Sequence, residues 1–242
     1  RWPKRRTKRT RIMGRTGMGP RALAITSEIS QVGGPTLTHG NDAAVYLAHF
    51  GNVAALIDAG CGRATDRLLQ NIEAAGVSPE QIRHLLLTHC HYDHSGAAAD
   101  LRQRFGWPVA IHALEAAYLE NGDNQVSAAS WYGDHLAPCP VDIRIADGDR
   151  FALGDRSIQA IHIPGHSPGS LAYLVESDGR RVVFAQDVHG PLHPALLSKR
   201  SDYQQSLRKL EALAADILCE GHYGVFFGRA AIAGFIERFV ED

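Results

Sequence analysis

Three histidines and one aspartate lie within six consecutive positions of the stretch LLLTHCHYDHSG, which spans residues 85–96. They are His89, His91, Asp93 and His94. Imidazole and carboxylate groups are common metal ligands, so four of them at this spacing indicate a metal site. If the apolar run before them is a strand that ends at His91, His89 and His91 face the same side and can share one ion. Cys90 would then point away from that ion.

Further candidate ligands follow short apolar runs elsewhere in the chain. Each stands at the end of a strand-like run, where functional side chains are often carried by the following loop. They are Asp58 in LIDAG, His166 in IPGHSPGS, Asp187 in VVFAQD and His222 in CEGH. We expect these residues to complete the site that the first four begin.

Short strands alternate with helices after residue 25, and these elements must position the candidate ligands. The pattern predicts strands at 43–50, 53–58, 84–89, 108–112, 170–176, 181–187 and 217–222, a strand meander over 141–165, and helices at 63–75, 95–106, 201–216 and 229–240. Strands and helices are mixed in both halves, and no linker separates the halves. We therefore predict an α/β fold, a four-layer αββα sandwich in which two packed sheets are covered by helices.

The charges divide the chain into two parts. Residues 1–21 hold nine Lys or Arg and no acidic residue, whereas the remainder holds 16 basic and 26 acidic residues. The basic stretch has no apolar periodicity, so we predict a disordered tail over residues 1–21 and a single domain over residues 22–242. An acidic body argues against a nucleic-acid partner.

The remaining composition points to a cytoplasmic protein. No apolar run is long enough to span a bilayer, and the basic tail lacks the apolar stretch of a secretory signal. The four cysteines are widely spaced and form no C-x-x-C pair, which predicts reduced thiols. We expect no membrane association, and the sequence carries no signal for the oligomeric state.

Five motifs together resemble the metallo-β-lactamase superfamily. They occur in the order typical of that family, from about residue 25 to the end of the chain, and are LIDAG (56–60), THCHYDHSG (88–96), IPGHSPGS (163–170), FAQD (184–187) and EGH (220–222). The resemblance is to metallo-hydrolases of the glyoxalase II-like or lactonase-like branch. It implies an αββα sandwich with a metal site at one edge of the paired sheets.

The same resemblance implies two metal ions. It assigns His89, His91 and His166 to the first ion, assigns Asp93, His94 and His222 to the second, and places Asp187 between the two. Asp58 matches an aspartate that supports the ligands from behind, as such partners orient imidazoles. Histidine and carboxylate ligands favour two zinc ions, with iron or manganese also compatible.

Two divalent ions would give a metal-bound hydroxide that attacks a carbonyl, with Asp93 as the catalytic residue that orients it. Four further residues are candidates for the substrate pocket, against the alternative that they are ordinary packing or loop residues. They are His189, Tyr223, Trp131 and Tyr132.

The expected function is hydrolysis of a small acyl compound, namely a thioester, a lactone or a related ester. Three alternatives stay open because the fold alone does not choose a substrate. They are a mononuclear iron persulfide dioxygenase, a β-lactam hydrolase and a non-catalytic metal-binding protein.

Overall fold

Two β-sheets and six α-helices are present in the computed structural model, which describes residues 21–241. The predicted tail lies outside the described residues, apart from Arg21. The first sheet has seven strands in chain order. They are β1 (Leu23–Ala24), β2 (Ile29–Gly33), β3 (Val45–Phe50), β4 (Val53–Ile57), β5 (Ile82–Leu86), β6 (Val109–His112) and β7 (Ile143–Ile145).

The second sheet has six strands, in the spatial order β13-β12-β11-β10-β9-β8. They are β8 (Arg150–Leu153), β9 (Arg156–His162), β10 (Leu171–Ser177), β11 (Arg180–Ala185), β12 (Ile217–Cys219) and β13 (Val225–Phe227). The helices are α1 (Thr65–Ala74), α2 (Tyr92–Ser95), α3 (Ala98–Phe105), α4 (Ala113–Asn121), α5 (Arg200–Ala212) and α6 (Arg229–Ile236).

Three hydrophobic clusters define four layers. The inner faces of the two sheets meet around buried side chains such as Tyr46 and Phe184, whose ring centroids are 5.5 Å apart. Helices α1, α3 and α4 cover the outer face of the first sheet, where Leu101 is buried. Helices α5 and α6 cover the second sheet, where Leu207 is buried. This arrangement confirms the predicted αββα sandwich.

The carboxyl ends of parallel strands meet at one edge of this sandwich. Strand β4 runs parallel to β5 in the first sheet, and β11 runs parallel to β12 in the second. Each of these four strands leads directly into a loop that carries candidate ligands or their supporting residues. Open α/β sheets commonly bind ligands beyond the carboxyl ends of their strands, so the topology alone favours a site here.

The predicted strand over residues 84–89 is wrong at its end. Strand β5 stops at Leu86, and the N–H of Thr88 donates to Asp58 Oδ1 at 2.8 Å instead of to a neighbouring strand. His89 and His91 therefore lie in a loop, and strand alternation does not set their directions.

The loop that carries His166 is held against α5 by a close backbone approach at Gly165. Gly165 has φ +134°, and a Cβ atom at this position would lie 2.2 Å from backbone atoms of Tyr203. The carbonyl oxygen of Gly165 accepts a 2.8 Å hydrogen bond from the N–H of Lys199. Only glycine allows this contact, because any side chain would force the loop away from the helix.

Replacing Gly165 by alanine should therefore destabilise the protein by more than about 3 kcal/mol, because backbone atoms must move to remove the clash. Gly133→Ala is the matched control, since Gly133 has φ +66° but open space around it. That variant should lose only about 1 kcal/mol, the cost of the left-handed conformation. Urea unfolding of both variants measures the difference, and equal losses would contradict the close-contact argument.

Candidate metal centre

The seven candidate ligands lie together where the two sheets end. Six are buried and His222 is partly exposed. The loop after β5 supplies His89 and His91, α2 supplies Asp93 and His94, and the loops after β9, β11 and β12 supply His166, Asp187 and His222. Both halves of the chain are thus needed to assemble the centre.

The tight turn into α2 brings four of these residues close together. His91 is the residue before α2, and its carbonyl oxygen accepts hydrogen bonds from the N–H groups of His94 (3.0 Å) and Ser95 (2.9 Å). Asp93 is the second residue of α2 and lies in its first turn. The Cys90 side chain packs in the hydrophobic cluster under the first sheet, away from the ligands.

The first ligand group combines three imidazoles and one carboxylate. His166 Nε2 lies 2.9 Å from His91 Nδ1 and 3.0 Å from Asp187 Oδ2. His89 Nε2 lies 3.5 Å from the same carboxylate oxygen. Zinc with nitrogen ligands at its usual bond length separates neighbouring ligand atoms by roughly 3.3–3.4 Å in a tetrahedron. The observed spacing is close to that of a site around one small cation.

The second group combines Asp93, His94 and His222, and Asp187 joins it to the first. His222 Nε2 lies 3.3 Å from Asp93 Oδ2 and 3.0 Å from Asp187 Oδ1. His94 Nε2 lies 3.7 Å from Asp93 Oδ2 and 3.5 Å from Asp187 Oδ2. The Asp187 carboxylate therefore faces both groups.

Two ligand atoms have no hydrogen-bond partner among the described residues. They are Nε2 of His89 and Nε2 of His94, and both are buried. Buried polar atoms are normally hydrogen-bonded, so two at one point indicate that something else satisfies them. A divalent cation fits, because imidazole nitrogens are donors that zinc, iron and manganese accept.

Burial favours neutral imidazoles at His89 and His91. Burial lowers the pKa of His89, and the neighbouring His94 lowers it further against the opposing effect of Asp187. Burial and the adjacent histidines hold the pKa of His91 well below its usual range. A neutral imidazole has a free lone pair, so both side chains can bind a cation without first losing a proton.

The second group has the opposite electrostatic character. Burial lowers the pKa of His94, but Asp187, Asp93 and Asp58 outweigh it and hold that pKa well above the usual range. Against the same burial effect, contacts with Asp187 and Asp93 raise the pKa of His222 to about 10. Without a metal these histidines are protonated, and their positive charge balances the carboxylates.

The carboxylates of the centre stay ionised for the same reason. Burial raises the pKa of Asp93, but His94 and His222 outweigh it and lower it to about 2. Asp187 is likewise held well below its usual range by His94, His222 and His166. Both can serve as anionic ligands at neutral pH.

Asp58 hydrogen-bonds one of the candidate ligands from the side away from the centre. Its Oδ2 lies 2.8 Å from His94 Nδ1, and its oxygens accept hydrogen bonds from the N–H and hydroxyl of Thr88. The Thr88 hydroxyl in turn lies 3.0 Å from His89 Nδ1. These contacts leave Nε2 of both histidines directed at the centre. Asp58 has φ +61°, a conformation that aspartate and asparagine tolerate.

Glu220 is a supporting residue that the sequence reasoning missed. It is fully buried, and its Oε2 accepts hydrogen bonds from the N–H groups of His222 (2.7 Å) and Tyr223 (2.8 Å). Its Oε1 lies 2.9 Å from His189 Nδ1, so it also orients this predicted pocket residue. Its position in the sequence, between the apolar run of β12 and Gly221-His222, could have indicated this role.

The other predicted pocket residues differ in their exposure and neighbours. Tyr132 is half-buried, and burial together with the nearby Asp93 carboxylate raises the pKa of its phenol. Trp131 is 49 % exposed and meets His193 edge to face, with ring centroids 5.2 Å apart. Tyr223 is 52 % exposed, and its ring centroid lies 4.9 Å from that of His189.

The segment that carries Trp131 and Tyr132 is anchored beside the ligands. Asp134 Oδ2 accepts a 2.6 Å hydrogen bond from Tyr92 OH, and Tyr92 stands between two candidate ligands in the sequence. The Arg63 guanidinium donates to the same oxygen at 2.7 and 2.9 Å. These contacts hold the segment 131–134 in place relative to α2.

A third group, His39, Asp42 and Cys61, offers less to a metal. The Asp42 oxygens already accept hydrogen bonds from the N–H groups of Cys61 (2.9 Å) and His39 (3.1 Å) and from the Thr38 hydroxyl (2.5 Å). Burial, followed by the Asp42 contact, raises the pKa of the Cys61 thiol to about 12. This group holds two loops together. All four cysteines are free, as predicted.

Comparison with known proteins gives consistent results. The family model of the metallo-beta-lactamase superfamily matches residues 40–222. An acyl-coenzyme A thioesterase, MBLAC2, from Homo sapiens is 31 % identical over 217 residues, which cover 77 % of this chain and 75 % of that protein. A hydroxyacylglutathione hydrolase from Cereibacter sphaeroides is 32 % identical over 145 residues, which cover 59 % of this chain and 49 % of that protein.

Solved structures show the same fold. A B3 metallo-beta-lactamase with an active-site glutamic acid superposes with a TM-score of 0.76 at 24 % identity, covering 90 % of this chain and 87 % of that one.

The described helices are all too short or too polar to cross a membrane.

Replacing Asp58 by asparagine should weaken metal binding by about 10–100-fold, the usual effect of removing a partner that orients a ligand. The amide tolerates the positive φ but lacks the charge that fixes His94. Asp178→Asn is the matched control, because Asp178 also has a positive φ (50°) but is exposed and hydrogen-bonds Ser27 far from the centre. Competition with a chelator measures the metal affinity of both variants. Parental affinity in Asp58→Asn would contradict a supporting role of Asp58 in metal binding.

Proposed function

Because the chain belongs to the metallo-β-lactamase superfamily, we propose that it is a metal-dependent hydrolase whose substrate is a small acyl thioester. The observation that carries the proposal is the Asp187 carboxylate, which faces two groups of imidazole and carboxylate ligands at once. Such a centre suits the addition of water to a carbonyl. The thioester preference is supported by the names of two relatives, a coenzyme A thioesterase and a hydroxyacylglutathione hydrolase.

We assign two zinc ions to the centre, with iron or manganese as substitutes that the same donors accept. The first ion is held by His89, His91 and His166, the second by Asp93, His94 and His222, and Asp187 serves both. Seven donor residues exceed the four that one tetrahedral zinc requires. The two buried imidazole nitrogens without partners support this number, because His89 belongs to the first group and His94 to the second.

Bound divalent ions would supply Lewis acidity and make a nearby water acidic enough to act as a nucleophile at neutral pH. Asp93 is the residue that we assign to positioning that water. In the metal-free protein His94 and His222 lower the pKa of Asp93 to about 2, so its carboxylate is ionised at neutral pH and accepts hydrogen bonds. Addition of water to the thioester carbonyl then breaks the carbon–sulfur bond, and the products are a carboxylic acid and a thiol.

Four residues form the substrate pocket in this proposal. Tyr132 contacts the reacting end of the substrate, because its phenol is close to Asp93. Tyr223 and Trp131 are half exposed and present aromatic surface, and the mostly buried His189 ring packs against Tyr223. Aromatic side chains bury large areas on binding, so they suit the acyl chain or the thiol carrier of a thioester.

A substrate panel tests the proposal. Zinc-loaded and iron-loaded protein are assayed against acyl-coenzyme A esters, acyl-glutathione, lactones, β-lactams and a persulfide, with thiol release, ring opening and oxygen uptake as readouts. We expect the highest kcat/KM for a thioester with the zinc-loaded protein. Oxygen uptake with iron and a persulfide would support a dioxygenase instead. Inactivity on the whole panel would support a protein that binds metal without catalysis.

Protein purified without chelator should contain close to two metal equivalents per chain. Filling the second position should also release about two protons at pH 7.5, because His94 and His222 are protonated there in the metal-free protein. The affinity for the second ion should therefore rise with pH up to about 10, the pKa of His222. Elemental analysis and titration in a weakly buffered indicator solution measure these quantities. A fully active protein with one equivalent would contradict the two-ion assignment.

Replacing Asp93 by asparagine should leave the fold and the first ion in place, because the amide keeps the shape of the side chain. The loss of charge should weaken the second ion and lower kcat by about 10²–10⁴, the usual cost of losing a residue that assists proton transfer. His89→Ala and His91→Ala should instead lose the first ion. Asp66→Asn is the control, because Asp66 is an exposed aspartate in the first turn of α1. A parental rate with both ions bound in Asp93→Asn would exclude the role assigned to this carboxylate.

A further inference from the structure

A buried carboxylate near the start of α4 joins two loops of the candidate centre. Glu115 has no solvent-exposed surface, and it forms no ion pair with a lysine or arginine of residues 21–241. Its Oε2 accepts a 2.6 Å hydrogen bond from the N–H of Cys90. Its Oε1 accepts hydrogen bonds from the N–H of Gly169 at 2.9 Å and from the Ser167 hydroxyl.

These donors lie directly beside the candidate ligands of the first ion. The N–H of Cys90 belongs to the peptide that follows His89, one residue before His91. Ser167 and Gly169 follow His166 in the loop between β9 and β10. One carboxylate therefore spans the two loops that bring these three imidazoles together, through two main-chain N–H groups and the Ser167 hydroxyl.

The packing around Glu115 leaves little room for the loops to shift. A Cβ atom on Gly169 would lie 2.7 Å from the Glu115 side chain, so the loop approaches the carboxylate as closely as its backbone allows. The N–H of Leu171 also donates to the carbonyl of Thr88 at 2.8 Å, and this bond ties the same two loops. The carboxylate thus provides one of the direct links between them.

Burying a carboxylate at this position costs free energy that an apolar side chain would not. An ionised carboxylate taken out of water is strongly unfavourable unless several donors replace its hydration. Here three donors do so, and all three come from the two loops that carry ligands. Ligand atoms must be held within about 0.5 Å of their productive positions for tight metal binding. Charge-assisted hydrogen bonds to the main chain can supply that precision.

We propose that Glu115 is the positioning residue that sets the separation between His89, His91 and His166, and thereby the affinity and coordination of the first metal ion. The proposal rests on the two-ion centre assigned above, but it does not depend on the identity of the substrate.

Glu115→Gln tests it with minimal change of shape. The amide nitrogen replaces one oxygen and must face the N–H of Cys90 or that of Gly169, which separates the loops. We expect cobalt(II) to bind the first position about 10–100-fold more weakly, with a changed visible absorption spectrum, while affinity for the second position stays within twofold. Metal titration followed by absorbance gives both results without any substrate, so failure of the thioester proposal would leave this test valid.

Asn71→Ala is the control for a purely structural effect. Asn71 is also fully buried, and its amide joins two distant carbonyls, those of Val32 and Leu37. This variant should lower the melting temperature and leave the cobalt(II) affinity and spectrum of the folded protein unchanged. If Glu115→Gln behaved like Asn71→Ala, with lower stability and parental metal binding, the positioning role would be wrong.

Ser167→Ala keeps the test decisive if Glu115→Gln fails to fold. It removes one donor to Glu115 and leaves the carboxylate and both main-chain bonds in place. We expect a folded protein with about three- to tenfold weaker cobalt(II) binding at the first position and a smaller spectral change. Parental affinity and spectrum in Ser167→Ala would overturn the proposal in that case.

Discussion

The buried Asp187 carboxylate needs positive charge around it, and the rest of the centre depends on this requirement. This buried carboxylate lies within 3.0–3.5 Å of imidazole nitrogens of His89, His94, His166 and His222. A buried carboxylate is unfavourable unless positive charge accompanies it. Protons on two of these histidines supply that charge in the metal-free protein, and cations can replace those protons at the same atoms. Proton and metal binding are therefore alternatives at one set of side chains.

The double sheet allows these side chains to meet. Each sheet contributes a pair of parallel strands, β4 with β5 and β11 with β12, and all four end at the same edge. The core between the sheets, which includes Tyr46 and Phe184, fixes their separation. Rigid strands then hold short loops, and the loops hold the ligands. The short helix α2 starts within the ligand motif itself.

Three fully buried carboxylates stand behind the ligands, and each acts on a different part of the centre. Asp58 orients an imidazole directly through His94, whereas Glu220 and Glu115 accept hydrogen bonds from the main chain of the ligand loops. Buried acceptors of this kind must be satisfied, so the loops cannot relax without leaving a carboxylate unpaired. Burial makes these carboxylates energetically unfavourable when unpaired, and for the same reason it makes the geometry of the centre rigid.

The sequence by itself identified the candidate ligands. Their residue types, and their spacing in HCHYDH and the three later motifs, can be read directly along the chain. Hydrophobic periodicity likewise predicted the αββα layers. Only the tertiary structure decided that β5 ends at Leu86, since Thr88 turns its N–H to Asp58, 30 residues away. It also decided the role of Glu115, whose partners lie 25 and 54 residues away. Periodicity reports only neighbours along the chain, so a buried carboxylate of this kind looks like any helical glutamate until the loops pack around it.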